Sequence, residues 1–244
     1  MNQIAELERL LLTFEFIDLS HTIEKGIPKC IPHPQIIIDP TITHEHDGYY
    51  CQTLVMGEHT GTHADAPAHI IPRMMRNTID TYPADILFGP AIKYDMWKIS
   101  QEAGYQITKE QILVLETQMC DQARQGDIIL MNFNWERHWH TGRDWKYFAL
   151  NEPGLAEDAA ELFAKRGVKA VGSDTIACDT PVKEGHELKS YGHQEHWLPN
   201  QIFIIEMLKN LSILPTRCYF MALPLKIRRG SGSPVRPVAL VPKT

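Results

Sequence analysis

The sequence predicts one α/β domain that has many strands and few helices. Residues 108–132 and 153–172 each show an apolar helical stripe followed by a short apolar run, the pattern of a helix that leads into a buried strand. No Gly/Ser-rich linker or block of like charge divides the 244 residues, so we predict a single domain over 1–244. Further strand-like runs follow in the C-terminal third, at 202–206, 219–227 and 235–241.

The N-terminal residues predict an amphipathic helix. Ile4, Leu7, Leu11 and Phe14 recur at helical spacing. The segment lacks the basic start and the small-residue cleavage site of a signal peptide. We therefore interpret 1–14 as a helical arm, and packing against a partner subunit is one use for it.

Shorter elements are predicted between the arm and residue 95. The run 16–20 is predicted as a strand, whereas 29–48 is rich in proline and histidine and is predicted as a loop. Alternation over 49–56 predicts the strand that delivers a histidine-rich block, and 91–95 predicts another short strand.

Residues typical of helix ends mark the two predicted helices. Thr108 and Gln111 match a capping box, and Gly126 is predicted to end the first helix. Pro153 stands near the start of the second helix, and Gly167 is predicted to end it. The buried strands of the two pairs follow, at 127–132 and 168–172.

Composition and charge limit the classes of partner. The chain is 43% hydrophobic and 22% charged, as is usual for a soluble globular protein. A formal net charge of −6 without a long basic run argues against nucleic-acid binding. No apolar stretch approaches the roughly 20 residues that a membrane span needs. The five cysteines are odd in number and form no CxxC pair, which favours a reducing cytoplasm over a disulfide scaffold.

The block from His59 to His69 concentrates side chains of the metal-ligand type. His59, His63, Asp65 and His69 are separated by even numbers of residues. In an extended chain, side chains two or four residues apart point to the same side. A glycine and a proline inside the block argue against a helix. We therefore predict a strand end that runs into a loop, with the four side chains on one face.

Two imidazoles and a carboxylate predict a divalent metal site. His59, His63 and Asp65 are the expected ligands, and zinc or manganese suits this donor set. Such an ion would acidify a water ligand. His69 titrates in the range of a general acid or base, and the alternative is that it orients Asp65 or caps a turn. For the whole set, the alternative is a buried hydrogen-bonding network without metal.

The same block resembles a family signature. HTGTHADAPAH matches the HxGTHxDxPxH pattern of the cyclase-like metal-dependent hydrolases, which include bacterial kynurenine formamidases and isatin hydrolases. The resemblance extends over most of the chain, through DLSHTI, GDIILMNFNW, AAELFAKRGVKAVGSDT and IFIIEML. It implies a β-rich α/β domain of the swivelling β/β/α type. It also implies that His69 is a catalytic acid/base and not a core ligand.

The resemblance further implies a second metal ion. In the formamidases a downstream histidine and a glutamate at a strand end hold this ion, and the counterpart of Asp65 bridges the two ions. Glu206 matches the glutamate, and its alternative is an interface salt bridge. The histidine is either His193 or His196, 13 and 10 residues before Glu206, and neither reproduces the family spacing. One or two ions per chain are therefore expected.

An aromatic loop follows the first of the two buried strands. By resemblance, Trp135, His138 and Trp139 line a substrate pocket, and aromatic walls suit a planar or cyclic substrate. The alternative is that the loop forms a dimer contact. Asp174, at the end of the next predicted strand, is placed like an acceptor that orients a metal ligand.

Taken together, the resemblance implies a metal-dependent hydrolase that cleaves an amide, lactam or lactone bond of a small cyclic or aromatic molecule. A homodimer or a higher homo-oligomer is expected. Two other classes stay open. A set of two histidines and one carboxylate also occurs in non-haem iron oxygenases. A closed ligand shell without an open position would instead indicate a non-catalytic binding module that uses the ion as a clip.

Overall fold

Within residues 2–243, the computed structural model contains fifteen strands and five α-helices. The strands are β1 (Phe14–Asp18), β2 (Ile37–Ile42), β3 (Cys51–Val55), β4 (His63–Asp65), β5 (Phe88–Tyr94), β6 (Gln106–Ile107), β7 (Ile128–Met131), β8 (Gly154–Leu155), β9 (Ala170–Ser173), β10 (Val182–Lys183), β11 (His186–Glu187), β12 (Phe203–Glu206), β13 (Arg217–Met221), β14 (Gly232–Pro234) and β15 (Val238–Pro242). The helices are α1 (Gln3–Leu11), α2 (His44–Asp47), α3 (Lys109–Met119), α4 (Lys146–Leu150) and α5 (Glu157–Lys165).

Nine of these strands form one mixed sheet. Their spatial order is β1-β15-β13-β5-β7-β9-β12-β4-β14. The central strands β5, β7, β9 and β12 run parallel, and the strands that flank them on both sides pair antiparallel. The other strands form three small pairs, β2-β3, β6-β8 and β10-β11. The predicted α/β class with many strands and few helices is confirmed.

The central strands are apolar throughout because both faces of the sheet are covered. In β7, Ile128 and Leu130 belong to one core cluster, whereas Ile129 and Met131 belong to the other. Phe163 of α5 packs in the second cluster. A parallel strand that is buried on both faces consists of a continuous run of apolar residues. For this reason β7 could be predicted from the sequence.

The start of α3 is confirmed, but its end is not where the sequence predicts it. The Thr108 hydroxyl accepts a hydrogen bond from the Gln111 N–H, and the Gln111 side chain accepts one from the Thr108 N–H. The helix ends at Met119 because Cys120 takes a left-handed conformation with φ of 53°. Gly126 lies in the turn before β7, so its prediction as the helix stop is wrong.

The start of α5 also differs from the prediction. Pro153 is predicted near the start of this helix, but Leu155 beyond it still lies in β8, which pairs in parallel with β6. The helix begins at Glu157 and buries Ala159, Leu162 and Phe163. A strand of two residues is too short to show an alternating pattern in the sequence, so β8 could not be predicted.

The segment before the histidine-rich block is not a simple loop. Residues 29–48, predicted as loop, contain β2 and α2. The predicted strand at 49–56 is present as β3, but it pairs with β2 in an exposed hairpin outside the main sheet. The strand that carries the metal motif is instead β4, a separate short strand. Alternation alone could not show which sheet a strand joins.

The position of β4 brings distant parts of the chain together. It lies between β12 and β14, and both pair with it antiparallel. His63 stands opposite Glu206 of β12, and Asp65 stands opposite Gly232 of β14. Residues about 140 and 170 positions downstream therefore flank the motif directly.

The N-terminal helix is present as α1, and all of its residues are exposed or only partly buried. Ile4, Leu7 and Leu10 are among its exposed apolar side chains. The role of 1–14 as an arm stays a prediction.

Candidate metal centre

Strand β4 and the turn after it place the motif at one end of the main sheet. His63 and Asp65 are two residues apart in the strand and share a face, whereas Ala64 packs in the core on the other face. A 3₁₀ turn over Pro67–His69 follows directly. His59 reaches the same place from the loop before the strand, and its ring centroid lies 4.0 Å from that of His69.

The imidazole of His63 points one nitrogen outwards and one inwards. Nδ1 lies 2.8 Å from the carbonyl oxygen of Gly61, which can only accept, so Nδ1 carries the proton. In the neutral ring Nε2 then has a free lone pair, which a metal ion can take in place of a proton. It lies 3.3 Å from Asp65 Oδ1 and 3.3 Å from Glu206 Oε2.

His193 repeats this arrangement from another element. It lies in a π-helical turn over Gly192–His196, and its Nδ1 donates to Asp179 Oδ1 at 2.5 Å. Its Nε2 lies 3.2 Å from Glu206 Oε1 and 3.6 Å from Asp65 Oδ2. Such π-helical turns are frequent at functional sites.

His196, the other candidate, lies apart from these groups. Its Nε2 is 3.9 Å from Glu157 at the start of α5. Of the two downstream histidines, the structure therefore brings only His193 to the motif. Asp179, which orients His193, was not identified from the sequence. The only signal was a carboxylate shortly after a buried strand, and such carboxylates are common.

His59 contacts two different groups with its two ring nitrogens. Nδ1 lies 2.6 Å from Asp65 Oδ1, and Nε2 lies 2.8 Å from Ser231 Oγ. Ser231 in turn donates to the Glu58 carboxylate. The approach of Ser231 to the motif was not predicted from the sequence.

Imidazole nitrogens and carboxylate oxygens thus converge on a small buried volume. Asp65 Oδ2 and Glu206 Oε1 are buried there, and His193 Nε2 faces both of them. Burial lowers the pKa of His63, but the adjacent carboxylates of Asp65 and Glu206 outweigh it and raise this pKa to about 10. The converging groups therefore favour positive charge between them. Imidazole nitrogens with carboxylate oxygens suit zinc or manganese, so these residues fit a divalent ion.

His69 differs from the other histidines of the motif. It is only partly buried, and its ring centroid lies 6.4 Å from that of His193. Burial lowers the pKa of His69, although the Asp65 carboxylate opposes this shift. A pKa below the usual 6.5 keeps the imidazole neutral at neutral pH, so that it can accept a proton.

A cavity of about 220 Å³ opens onto these groups. This is smaller than typical ligand sites, which measure about 300–1,000 Å³. His33 and Cys30 form part of one wall, on a loop that the buried Lys29 ammonium holds. Lys29 Nζ donates to three carbonyls of this loop, those of Cys30, Ile31 and His33, at 2.7–3.3 Å. Residues between 176 and 194 also line the cavity.

Comparison with known proteins places this geometry in a family. The Cyclase family model matches residues 17–180, which is more than half of the chain. The chain belongs to the Cyclase family. It is 30% identical over 221 residues to an isatin hydrolase of Roseibium aggregatum, and the match covers 86% of this chain and 82% of that protein.

Other members of the Cyclase family resemble the chain along its length. A kynurenine formamidase of Salinibacter ruber is 27% identical over 190 residues, which cover 76% of this chain and 77% of that protein. The crystal structure of an isatin hydrolase bound to the product analogue thioisatinate superimposes with a TM-score of 0.86 at 25% identity. That superposition covers 99% of this chain and 98% of the other. Family and fold therefore agree with the resemblance in the motif.

The aromatic loop of this Cyclase-family chain does not line the cavity described above. Trp135 is buried in the core, and its Nε1 donates to the carbonyl of Phe148. His138 packs against the ring of Trp135, and Trp139 stacks on His21. None of these three side chains lines this cavity, and their role in substrate binding stays a prediction.

Asp174 explains why the loop folds inwards. Its carboxylate accepts hydrogen bonds from the backbone N–H groups of Phe133, Trp135 and Glu136. It was expected to orient a metal ligand, but it fixes the start of the aromatic loop instead. That expectation is therefore corrected, and Asp179 has the orienting contact.

The stacked pair His21–Trp139 generates a prediction about pH. The two ring centroids lie 3.7 Å apart, and His21 is 7% exposed. Burial, together with the positive charge of Lys209, lowers the pKa of His21 to about 3. Between pH 6.5 and 3 the unfolded chain therefore binds a proton that the folded chain does not, and the free energy of unfolding falls as the pH falls.

We predict that His21→Phe, which keeps a stacked ring, removes this part of the pH dependence. From pH 7 to pH 5, the loss in free energy of unfolding should be smaller in the variant by about 2 kcal/mol, at about 1.4 kcal/mol per pH unit below 6.5. Denaturant titrations of metal-free protein measure it. The exposed His140, changed to Phe, should keep the parent's slope; equal slopes in all three proteins would contradict the prediction.

Proposed function

We propose that this Cyclase-family chain is a metal-dependent hydrolase of an amide or lactam bond in a small cyclic or aromatic molecule. The observation that carries the proposal is the convergence of the inner imidazole nitrogens of His63 and His193 with carboxylate oxygens of Asp65 and Glu206 at a small cavity. The relatives named isatin hydrolase and kynurenine formamidase support the same reaction class.

His59, His63 and Asp65 would hold the first ion, with zinc and manganese as the proposed metals. His193 and Glu206 would hold a second ion together with Asp65, whose two oxygens face the two sets of donors. One or two ions per chain are therefore proposed, and His196 is not among the ligands. When bound, such an ion polarises a carbonyl and lowers the pKa of a water towards about 7.

The residues of the chain supply the remaining functions. His69 lies beside His59 at the cavity, and as a neutral imidazole it would accept a proton from the attacking water. The same nitrogen would then give this proton to the leaving nitrogen of the substrate. Asp179 holds His193 by its outer nitrogen, and Gly61 holds His63 in the same way. Such outer contacts keep each inner nitrogen directed at the site.

The alternatives gain less support. A structural clip requires a closed shell, whereas His59, His63, His193 and Glu206 all line an open cavity. No observation favours a non-haem iron oxygenase over a hydrolase.

We further propose a homodimer or a higher homo-oligomer in a reducing cytoplasm. The exposed apolar side chains of the arm and of the β2–β3 hairpin support the assembly, Ile4, Leu7, Ile37 and Leu54 among them. All five cysteines are free, which agrees with a reducing compartment. No helix within residues 2–243 is long and apolar enough to cross a membrane.

Metal binding and hydrolysis by the chain can be tested together. Purified chain loaded with zinc or manganese should hydrolyse an N-arylformamide or an isatin-type lactam, and chelation should abolish this activity. His63→Ala removes an inner donor and should lose most of the bound metal and of the turnover. The exposed His140→Ala should keep both. Full metal occupancy in folded His63→Ala protein would show that the proposed ligand set is wrong.

A substitution at His69 separates its proposed catalytic role from metal binding. His69→Ala should keep the metal content and the melting temperature of the parent, and its kcat should fall by roughly 10²–10⁴-fold, the usual range for general acid–base catalysis. In the parent, the rate should decline as the pH falls below 6.5, because the pKa of His69 is lowered. Parent-like kcat in metal-replete His69→Ala protein would exclude His69 from the reaction.

A further inference from the structure

Glu58, Ser231 and His59 form a chain of hydrogen bonds behind the proposed metal site. Glu58 Oε2 accepts from the backbone N–H of Ser231 at 2.8 Å and from its hydroxyl at 2.7 Å. Ser231 Oγ lies 2.8 Å from His59 Nε2. Ser231 precedes β14, so the contact joins residues 172 positions apart in the sequence.

The chemistry of these groups sets the direction of each hydrogen bond. A carboxylate can only accept, so the Ser231 hydroxyl donates to Glu58. The Ser231 oxygen then keeps lone pairs but has no proton left for His59. His59 Nε2 must therefore carry the proton and donate it to Ser231.

This direction determines the state of the other ring nitrogen. In a neutral imidazole with the proton on Nε2, Nδ1 has a free lone pair. Nδ1 lies 2.6 Å from Asp65 Oδ1, which is also an acceptor. Two acceptors at that distance repel each other unless a positive charge lies between them. A proton on Nδ1 supplies this charge in the metal-free chain, and a divalent ion bound at Nδ1 would take the place of that proton.

The surrounding backbone holds the ring in this orientation. A Cβ atom on Gly232 would lie 2.5 Å from His59 Cε1 and 3.0 Å from Nδ1, so only glycine lets the strand approach the ring this closely. The carbonyl of Ser231 accepts from the Ala66 N–H at 2.9 Å, which ties Ser231 to the end of the motif strand. Turning the ring over would place a carbon atom opposite Asp65.

We propose that Glu58 and Ser231 are positioning residues that fix the tautomer of His59 and make Nδ1 its metal-binding nitrogen. This inference rests on the proposed metal site. His59 would then differ from His63 and His193, whose outer nitrogen is Nδ1 and whose inner nitrogen is Nε2. We call the hydrogen-bonded pair Glu58 and Ser231 the relay. Without the relay, either nitrogen of His59 can carry the proton, which lowers the affinity of the site for the ion.

Nitrogen NMR of the parent protein tests the tautomer without any substitution in the relay. The full chain, labelled with ¹⁵N histidine and loaded with zinc, should show a protonated Nε2 and a zinc-bound Nδ1 for His59. The signals of His59 are assigned by their loss in His59→Gln. A zinc-bound Nε2 on His59 would overturn the proposal.

Zinc affinity, measured by competition with a chelator, tests the relay itself. Ser231→Ala should bind zinc 10- to 100-fold more weakly, the usual effect of losing an outer contact to a metal ligand. Ser233→Ala is the matched control, because this buried hydroxyl lies two residues further on, in β14, and within residues 2–243 its hydrogen bonds go only to backbone atoms of Leu225 and Pro234. It should keep the parent's affinity. Glu58→Gln, which retains an acceptor oxygen, should bind zinc more tightly than Glu58→Ala.

The outcomes separate this proposal from the proposed function. A parent protein that binds neither zinc nor manganese would remove both. Tight binding in the parent, with equal affinity in Ser231→Ala, would remove only the relay. Weaker binding in Ser231→Ala and in Ser233→Ala alike would also remove it, because the loss would then follow from any lost hydroxyl in or next to β14.

Discussion

The carboxylate of Asp65 is the group on which the arrangement of the site depends. It is fully buried, and a buried carboxylate is costly unless positive charge or hydrogen bonds surround it. Burial raises the pKa of Asp65, but the histidines around it, His59 above all, outweigh this effect and hold the pKa well below its usual value. The negative charge is therefore retained, and the imidazoles are oriented around it.

The outer contacts of these imidazoles come from separate parts of the fold. Gly61 belongs to the motif itself, Asp179 follows β9, and Ser231 precedes β14. Each is an acceptor that occupies one nitrogen of a histidine and so directs the other nitrogen inwards. The mixed sheet makes this possible, since β4 lies between β12 and β14 and brings residues from both neighbours to one end. Fold and chemistry are thus linked through the position of one three-residue strand.

The local part of this site could be predicted from the sequence, and the distant part could not. His59, His63, Asp65 and His69 lie within eleven residues, and the two-residue period of an extended chain indicates their shared face. Glu206 was identified only through the resemblance in the chain, and the choice between two downstream histidines needed the π-helical turn. Contacts made across sheet neighbours, like that of Ser231, depend on strand order, which hydrophobic patterns do not contain.

The same limit applies to the fold. The buried strands and the capped start of α3 follow from local patterns, because burial on both faces and capping chemistry act over a few residues. The inward fold of the aromatic loop does not, since it depends on Asp174, about 40 residues further along the chain. An aromatic segment looks the same in sequence whether it lines a cavity or fills a core.

Diffraction from crystals of the zinc-loaded chain, recorded on both sides of the zinc absorption edge, tests the central claim most directly. We expect an anomalous peak at bonding distance from His59 Nδ1, His63 Nε2 and Asp65, about 2.0–2.2 Å from each ligand atom. A zinc peak that lies elsewhere, or a loaded crystal without any peak among these three residues, would contradict it.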